Sequence, residues 1–563
     1  MNFRSPKILS SSKVWTCFAL VILSIFHFWL RKSAISLPYF HNEDTAGITY
    51  SADLILRGGL PLVDTVEMKA PGSFFLLAGW WSMVGRSLEN AQLLAVIWSY
   101  LATLGIGVGT WVLYRSTWAT LFSMLMYISL APFTDSIDIN YGAWMITPYI
   151  WSACGLWWVI RQRSLSEKET DHHWLIIGCL IATAALMKRQ GAALFPLALF
   201  IIYWGPRRGK QLGKLSTGLA FMFGLFFSYY ALKGHLFEGV SHYFLSRSGW
   251  AYLASSVVSS SHDMISTPPK LPRLWDGLYG LPYHLPISFL FAIFSQLVAW
   301  RSDQEPVQHS PSQTSISKAS LLWIFVGLSF CGTALGLRFF KGYYLQLLPG
   351  LIWLSVNPSS WLKVLTLLQR LKGMKIKGNR MMLCITLCGV ICLPFALKQS
   401  WLHLNKTLKM RSSALYLPTI QVYQISEYIN LTKDQQNEKP NQDSLSLWVW
   451  GRWAWPAYFY TQAHSPTRYF KNLGVLTTQL SNTWNPSRKS TPTQFDPHSP
   501  WPQAINELHS DPPQWILIAK NESKHHFKAL NLFLKSHYRS VSYQQMKMTM
   551  NKRRQLFQVY RLK

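Results

Sequence analysis

The sequence predicts an all-α polytopic membrane domain over residues 1–397, followed by a small C-terminal α/β domain over residues 398–563 on the outer face. Three observations predict it. The chain of 563 residues is 49% hydrophobic and 15% aromatic, and only 14% is charged, against roughly 25% in an ordinary soluble domain. Apolar runs approaching the ~20 residues of a bilayer crossing recur through the first two thirds. Beyond residue 397 that pattern stops, and short strand-like runs alternate with Pro-, Ser-, Thr- and Asn-rich stretches such as 481–502. This composition excludes intrinsic disorder, collagen-like repeats and a small disulfide scaffold.

The first apolar run, 14–30, follows Arg4, Lys7 and Lys13. No small-residue cleavage site comes after it, so it reads as an uncleaved first helix with a cytoplasmic N-terminus. A polar, acidic stretch over 31–73 leads to the aromatic run 74–81, which is too short to cross and suits a helix lying in the interface. Further spans are expected at 91–114, 118–133, 143–160, 174–187, 192–204, 217–232, 285–300, 321–337, 343–356 and 381–397, about eleven in all. An odd count puts the tail opposite the N-terminus. The basic runs Arg207-Arg208-Gly209-Lys210 and Lys372-Gly373-Met374-Lys375-Ile376-Lys377 mark the inner side. The net charge of +30, from 54 Lys and Arg against 24 Asp and Glu, points in so apolar a chain to membrane topology and anionic lipid, not to nucleic acid. The expected location is a bacterial plasma (inner) membrane.

Strands are expected in the tail at 445–450, 458–460 and 515–519. All seven cysteines fall in apolar runs, so no disulfide framework holds the tail. Cys384, Cys388 and Cys392 share one helical face. With no His or carboxylate between them they read as small packing residues rather than a metal site.

Polar residues gather at the outer ends of the spans: His41-Asn42-Glu43-Asp44, Glu67-Met68-Lys69-Ala70-Pro71, Asp135-Ser136-Ile137-Asp138, Lys188-Arg189-Gln190 and Arg338-Phe339-Phe340-Lys341. Ionisable groups at membrane depth are costly and face a cavity or a partner. Five such groups on one side imply one polar cavity with carboxylates beside cations. It suits a ligand with an anionic part and a part needing a base. Each group also has a structural reading. Asp44 could cap a helix over 45–56, Lys69 could snorkel to headgroups, Arg338 and Lys341 could anchor anionic lipid, and Asp135 and Asp138 could be loop residues. Lys188 and Arg189 interrupt two apolar runs with almost no loop, which a turn alone does not need.

Four stretches carry a family resemblance. Residues 44–71 run from Asp44 through Gly58-Gly59-Leu60-Pro61-Leu62-Val63-Asp64 to Glu67-Met68-Lys69-Ala70-Pro71. Leu186-Met187-Lys188-Arg189-Gln190-Gly191 forms a charged turn. Arg338-Phe339-Phe340-Lys341-Gly342-Tyr343-Tyr344 leads to Pro349. In the tail, Trp448-Val449-Trp450-Gly451-Arg452 is followed by Pro466-Thr467-Arg468-Tyr469. In order and spacing these resemble the membrane glycosyltransferases of the C type (GT-C). The nearest group is family 39, the protein-mannosyltransferase-like and aminoarabinose-transferase-like enzymes that depend on polyprenyl-phosphate sugars. The first stretch corresponds to their first outer loop and its interfacial helices.

The resemblance implies transfer of a sugar from a polyprenyl phosphate to an acceptor on the outer side, with inversion at the anomeric carbon. Asp44 would be the general base, with Glu43 and Asp138 completing the acidic set. Lys69, Arg338, Lys341, Lys188 and Arg189 would hold the donor phosphate as its charge develops. Glu67, Asp135, Gln190, Tyr343 and Tyr344 would orient the acceptor. The resemblance fixes no cofactor. A divalent cation, where one takes part, would sit on Asp44, Glu67 and Asp138. The implied partners are a polyprenyl-phosphate-linked sugar, membrane lipid, and a glycolipid, polysaccharide or protein acceptor. The alternative is a transporter or flippase of lipid-linked sugars. That reading calls for internal repeats and ionisable groups at mid-membrane, and the sequence presents neither. A non-catalytic scaffold would leave the clustered charges without a reason.

Overall fold

The structure, a computed structural model, describes residues 11–35, 39–40, 43–67, 69–134, 136, 139–164, 171–245, 270–300, 317–335, 337–361, 394, 397–398, 402, 418–434, 445–472, 476–478, 494–495, 499–520, 528–546, 548 and 555–563. A helical bundle comes first. Its elements are α1 (Ser11–Ile35), α2 (Glu43–Leu56), α3 (Gly72–Val84), α4 (Leu88–Tyr114), α5 (Thr117–Leu130), α6 (Tyr141–Ser164), α7 (His172–Met187), α8 (Phe195–Tyr203), α9 (Arg208–Leu232), α10 (Leu236–Phe244), α11 (Lys270–His284), α12 (Pro286–Trp300), α13 (Lys318–Ala334) and α14 (Leu348–Ser355).

Local chemistry sets the ends. The Ser87 hydroxyl accepts from Asn90 N and starts α4, which stops at Arg115 in the left-handed conformation. Asn140 starts α6 by accepting the Gly142 N–H on its side chain and the Trp144 N–H on its carbonyl. Helix α6 packs between α4 and α7, and α7 packs on α9. Against α4 the contact is hydrogen-bonded as well as apolar: Trp98 Nε1 donates to Trp144 O, Thr147 to Trp98 O, and Trp151 Nε1 to Leu101 O. Such bonds hold helices together where lipid offers no hydrophobic drive.

The span count differs from expectation. Among the described residues three helices, Val14–Lys32, Leu88–Tyr114 and Arg208–Leu232, are long and apolar enough to cross a membrane, or four if α11 and α12, bent by 91°, count as one. The expected spans at 192–204 and 343–356 are each a 3-10 turn, Arg189–Leu194 or Lys341–Gln346, running into a short helix. Helix α5 likewise ends in a 3-10 turn, Ala131–Thr134. Hydropathy registers burial and does not separate burial in lipid from burial in protein. Residues 381–393, with Cys384, Cys388 and Cys392, lie outside the described residues. The aromatic run at 74–81 is the core of α3.

The C-terminal part contains α15 (Pro418–Asp434), β1 (Leu447–Trp450), a 3-10 turn (Arg452–Ala454), α16 (Pro456–Thr461), β2 (Thr477–Thr478), β3 (Gln494–Phe495), α17 (Trp501–Ser510), β4 (Trp515–Ala519), α18 (Lys528–His537), β5 (Tyr538–Val541) and β6 (Phe557–Leu562). Four strands form a mixed sheet ordered β1-β4-β6-β5. β1 lies parallel to β4, with Leu447 opposite Trp515, and the other pairs are antiparallel. β1 and β4 are buried along their whole length, as strands covered on both faces are. Leu447, Val449 and Leu517 turn towards α15, joining Val422, Ile425 and Ile429. Trp448, Trp450 and Ile516 turn towards α17 and α18, joining Leu508 and Phe533. The strand expected at 458–460 is instead part of α16, because Pro456 occupies the first helical turn and fixes a helical φ.

The first apolar layer of the sheet is continuous with the bundle's core. Polar bonds join the two parts as well. Arg57 donates to Gln462 O, Val66 N to Arg468 O, Phe40 N to the Tyr460 hydroxyl and Ser465 N to the Tyr50 hydroxyl. Asp53 receives Arg86 at 2.6 Å, and Arg86 also donates to Phe459 O.

Candidate active site

The segments that reach the sheet region bring one group of charges together. Helix α2 begins at Glu43, so Asp44 lies within its first turn rather than capping it. The next residue, Thr45, donates to Ile139 O and ties this end of α2 to the start of α6. Asp44 Oδ2 is 3.7 Å from Lys69 Nζ. The Lys69 ammonium also stands 4.9 Å from the centre of the Tyr141 ring, in the first turn of α6. Lys188, at the break between α7 and its 3-10 turn, puts its Nζ 3.9 Å from the centre of the Tyr343 ring. A Cβ at Gly142 would lie 3.8 Å from Lys188 Nζ and 3.4 Å from Gly342 O. The start of α6 thus lies against both Lys188 and the 341–346 turn.

Lys69 is 20% exposed and Asp44 47%, so water reaches the carboxylate. Lys69 holds it below its ordinary pKa against the opposing effect of burial, with Lys471, Arg452 and Lys188 adding to the pull. Lys188 moves the other way for a cation. Burial, then the Lys69 charge, brings its pKa down to about 7, with Asp44 opposing. Two ammonium groups and the N-terminal end of α6 thus converge beside one carboxylate. Helix N-termini and lysines both favour an anion, so the geometry provides an anion site adjoining a base.

A second ion pair backs the first. Glu67 is buried and both its oxygens are engaged: Oε1 accepts the Lys69 backbone N–H at 3.1 Å and Oε2 receives Lys471 Nζ at 2.5 Å. Lys471 reaches it across Gly47 of α2, where a Cβ would collide with the lysine chain. Asn472 anchors this strip to β1 by donating to Val449 O and accepting from Gly451 N. Sequence reasoning singled out neither Lys471 nor a role for Arg452. The available signal was their place at the two tail stretches, 448–452 and 466–469, already recognised by resemblance: Arg452 ends the first, and Lys471 follows the second by two residues.

The remaining expected residues divide. Tyr343 faces Lys188. Tyr344 turns the other way, donating to Gly277 O and packing on His284. Arg189 donates to Tyr243 O in α10, and Gln190 bridges Leu335 O and Gln346, so both join helices. Arg338 is half-buried between Leu337 and Phe339, both with positive φ, a strained backbone that the buried Phe339 ring holds in place. Lys341 is exposed, and its charge acts on His284. Asp135 and Asp138 lie outside the described residues, as does the side chain of Glu43. Among the described residues no three His, Cys, Asp or Glu side chains form a metal-binding group.

No family model and no curated protein matches the sequence. Solved structures do match. ArnT from Cupriavidus metallidurans in the apo state superposes with a TM-score of 0.54 at 13% identity, covering 98% of each chain. The same protein bound to undecaprenyl phosphate gives 0.52 at 14% identity, again over 98% of each. The chain therefore shares the fold of these structures over 98% of its length.

Proposed function

We propose that the chain is a membrane glycosyltransferase that moves a sugar from a polyprenyl phosphate to an acceptor on the outer face of a bacterial plasma membrane, with the N-terminus in the cytoplasm. The observation that carries this reading is Asp44 facing Lys69 where water reaches both, with Lys188 and the start of α6 alongside. A structural neighbour holding undecaprenyl phosphate supports the lipid phosphate as the ligand class.

In this reading the donor phosphate lies among Lys69, Lys188 and the α6 N-terminus, with Arg338 and Lys341 closing from the 337–346 segment. The acceptor hydroxyl or amine attacks the anomeric carbon from the face opposite the phosphate. The bond from that carbon to the phosphate oxygen breaks, and its electron pair leaves on the lipid phosphate, where the lysines offset the growing charge. Asp44 takes the acceptor's proton. Its low pKa keeps it ionised before substrate arrives. A bound phosphate then cancels part of the lysine field and raises its basicity. Both oxygens of Glu67 are already engaged, so this carboxylate serves by holding Lys69 in place.

The test incubates the purified full chain in detergent with hexose, pentose and aminoarabinose donors on undecaprenyl phosphate, and with envelope extract as acceptor. Release of undecaprenyl phosphate is measured. Release from one donor, abolished by Asp44→Asn, is expected. No release from any donor, or full release by Asp44→Asn, overturns the proposal. A transporter would move the donors across vesicles without releasing the lipid.

A further inference from the structure

We infer that Lys471, contributed by the C-terminal sheet region, is a positioning residue of the transfer site: its ion pair with Glu67 sets the backbone that aims the Lys69 ammonium at Asp44. This inference rests on the proposed function and assigns part of that site to a segment about four hundred residues away along the chain.

Lys471 Nζ meets Glu67 Oε2 at 2.5 Å, and the two side chains are 4% and 1% exposed. The other Glu67 oxygen accepts the Lys69 N–H. A buried carboxylate without its cation would swing towards water, taking the Lys69 backbone's acceptor away, or take a proton, leaving Lys69 a weaker neutral acceptor. Lys471 is itself held on several sides. Its ammonium stands 5.3 Å from the Trp455 ring centre and 5.6 Å from that of Phe470, and it crosses α2 at Gly47. Asn472, the next residue, is bonded to β1. The link runs from the sheet, through Lys471 and Glu67, to Lys69 and Asp44. Arg452, in the turn after β1, is a second charge from the same region whose field reaches Asp44.

Gly47 gives an unusual handle. Gly47→Ala changes no charge and no site side chain, yet its methyl would occupy the space of the Lys471 terminal methylene and ammonium. The end of a lysine chain moves easily, so the expected result is a dislodged ammonium in a folded protein. A second variant, Glu67→Gln with Lys471→Met, removes both buried charges together and strands neither. Undecaprenyl phosphate is the probe, its affinity measured on the purified full chain beside a melting curve.

Both variants are expected to weaken binding about tenfold, the worth of one charge-assisted hydrogen bond; the double variant should melt close to the parent, and Gly47→Ala, which strands Glu67, below it. Adding Lys69→Ala to either should weaken binding no further than Lys69→Ala alone, because Lys471 acts through Lys69. Unchanged affinity in both variants, or losses that add fully to that of Lys69→Ala, overturns the inference. If Lys69→Ala itself leaves binding unchanged, the proposed function fails as well, and the inference with it. The two failures are therefore told apart by the Lys69→Ala control.

Discussion

Two ion pairs lie within a few residues of each other and differ in nearly every physical respect. Asp44 and Lys69 stand 3.7 Å apart and are 47% and 20% exposed. Glu67 and Lys471 stand 2.5 Å apart, at 1% and 4%. The first pair is loose and reached by water, so either partner exchanges its contact for a ligand at small cost. The second is tight and dry, and exchanging its partner would expose an uncompensated charge. One arrangement suits chemistry and the other suits support. The backbone N–H of Lys69, bonded to Glu67, joins them.

The contrast makes opposite predictions for variants of the two pairs. The largest effect is expected at the wet pair: Asp44→Asn should lower sugar transfer by about 10²- to 10⁴-fold, as loss of a general base does, with little change in the melting temperature. The same transfer and melting measurements check it. At the dry pair the order reverses. Lys471→Met alone should destabilise the protein by about 3–5 kcal/mol, the cost of a stranded buried charge. The Glu67→Gln/Lys471→Met combination should recover most of that in thermal unfolding. If the single variant melts like the parent, the pair is not the strut described here.

A smaller effect is expected for Lys69→Ala, a loss of about tenfold in affinity for undecaprenyl phosphate, read by direct binding in detergent. The smallest is a pH effect. The pKa of Lys188 is lowered to about 7, so its ammonium is present below that pH and lost above it. Affinity for an anionic lipid phosphate should fall a few-fold as pH rises through about 7, and Lys188→Met should flatten that fall. A pH profile of equal slope in Lys188→Met would remove Lys188 from the anion site.

Much of this site was legible because charge beside an apolar run is conspicuous. Asp44, Lys69 and Lys188 each abut one, and the fold brings these three together. Lys471 was not legible on those terms. It is one of 54 basic residues, and it lies in a polar tail where a lysine creates no contrast. Its significance comes from a pairing with Glu67 that only the folded chain reveals. Arg189, Gln190 and Tyr344 show the converse. Their positions in charged or aromatic turns suggested chemistry, and in the folded chain their side chains bond to neighbouring segments: Arg189 to Tyr243 O, Gln190 to Leu335 O and Tyr344 to Gly277 O. The bundle was legible as apolar helices. The number of crossings was not, because short helices such as α8 and α14 are as apolar as true spans. In the tail, β1 and β4 followed from their hydrophobic runs, whereas the aromatic stretch at 458–460 became helix through Pro456.

The central claim is that the Lys69 and Lys188 ammonium groups beside Asp44 take a lipid phosphate. Its most direct test is an experimental structure of the full chain with undecaprenyl phosphate. The phosphate is expected between Lys69 and Lys188 at the start of α6, with its oxygens about 2.7–2.9 Å from at least one ammonium nitrogen. A phosphate bound elsewhere, with Lys69 still facing Asp44 alone, would contradict it.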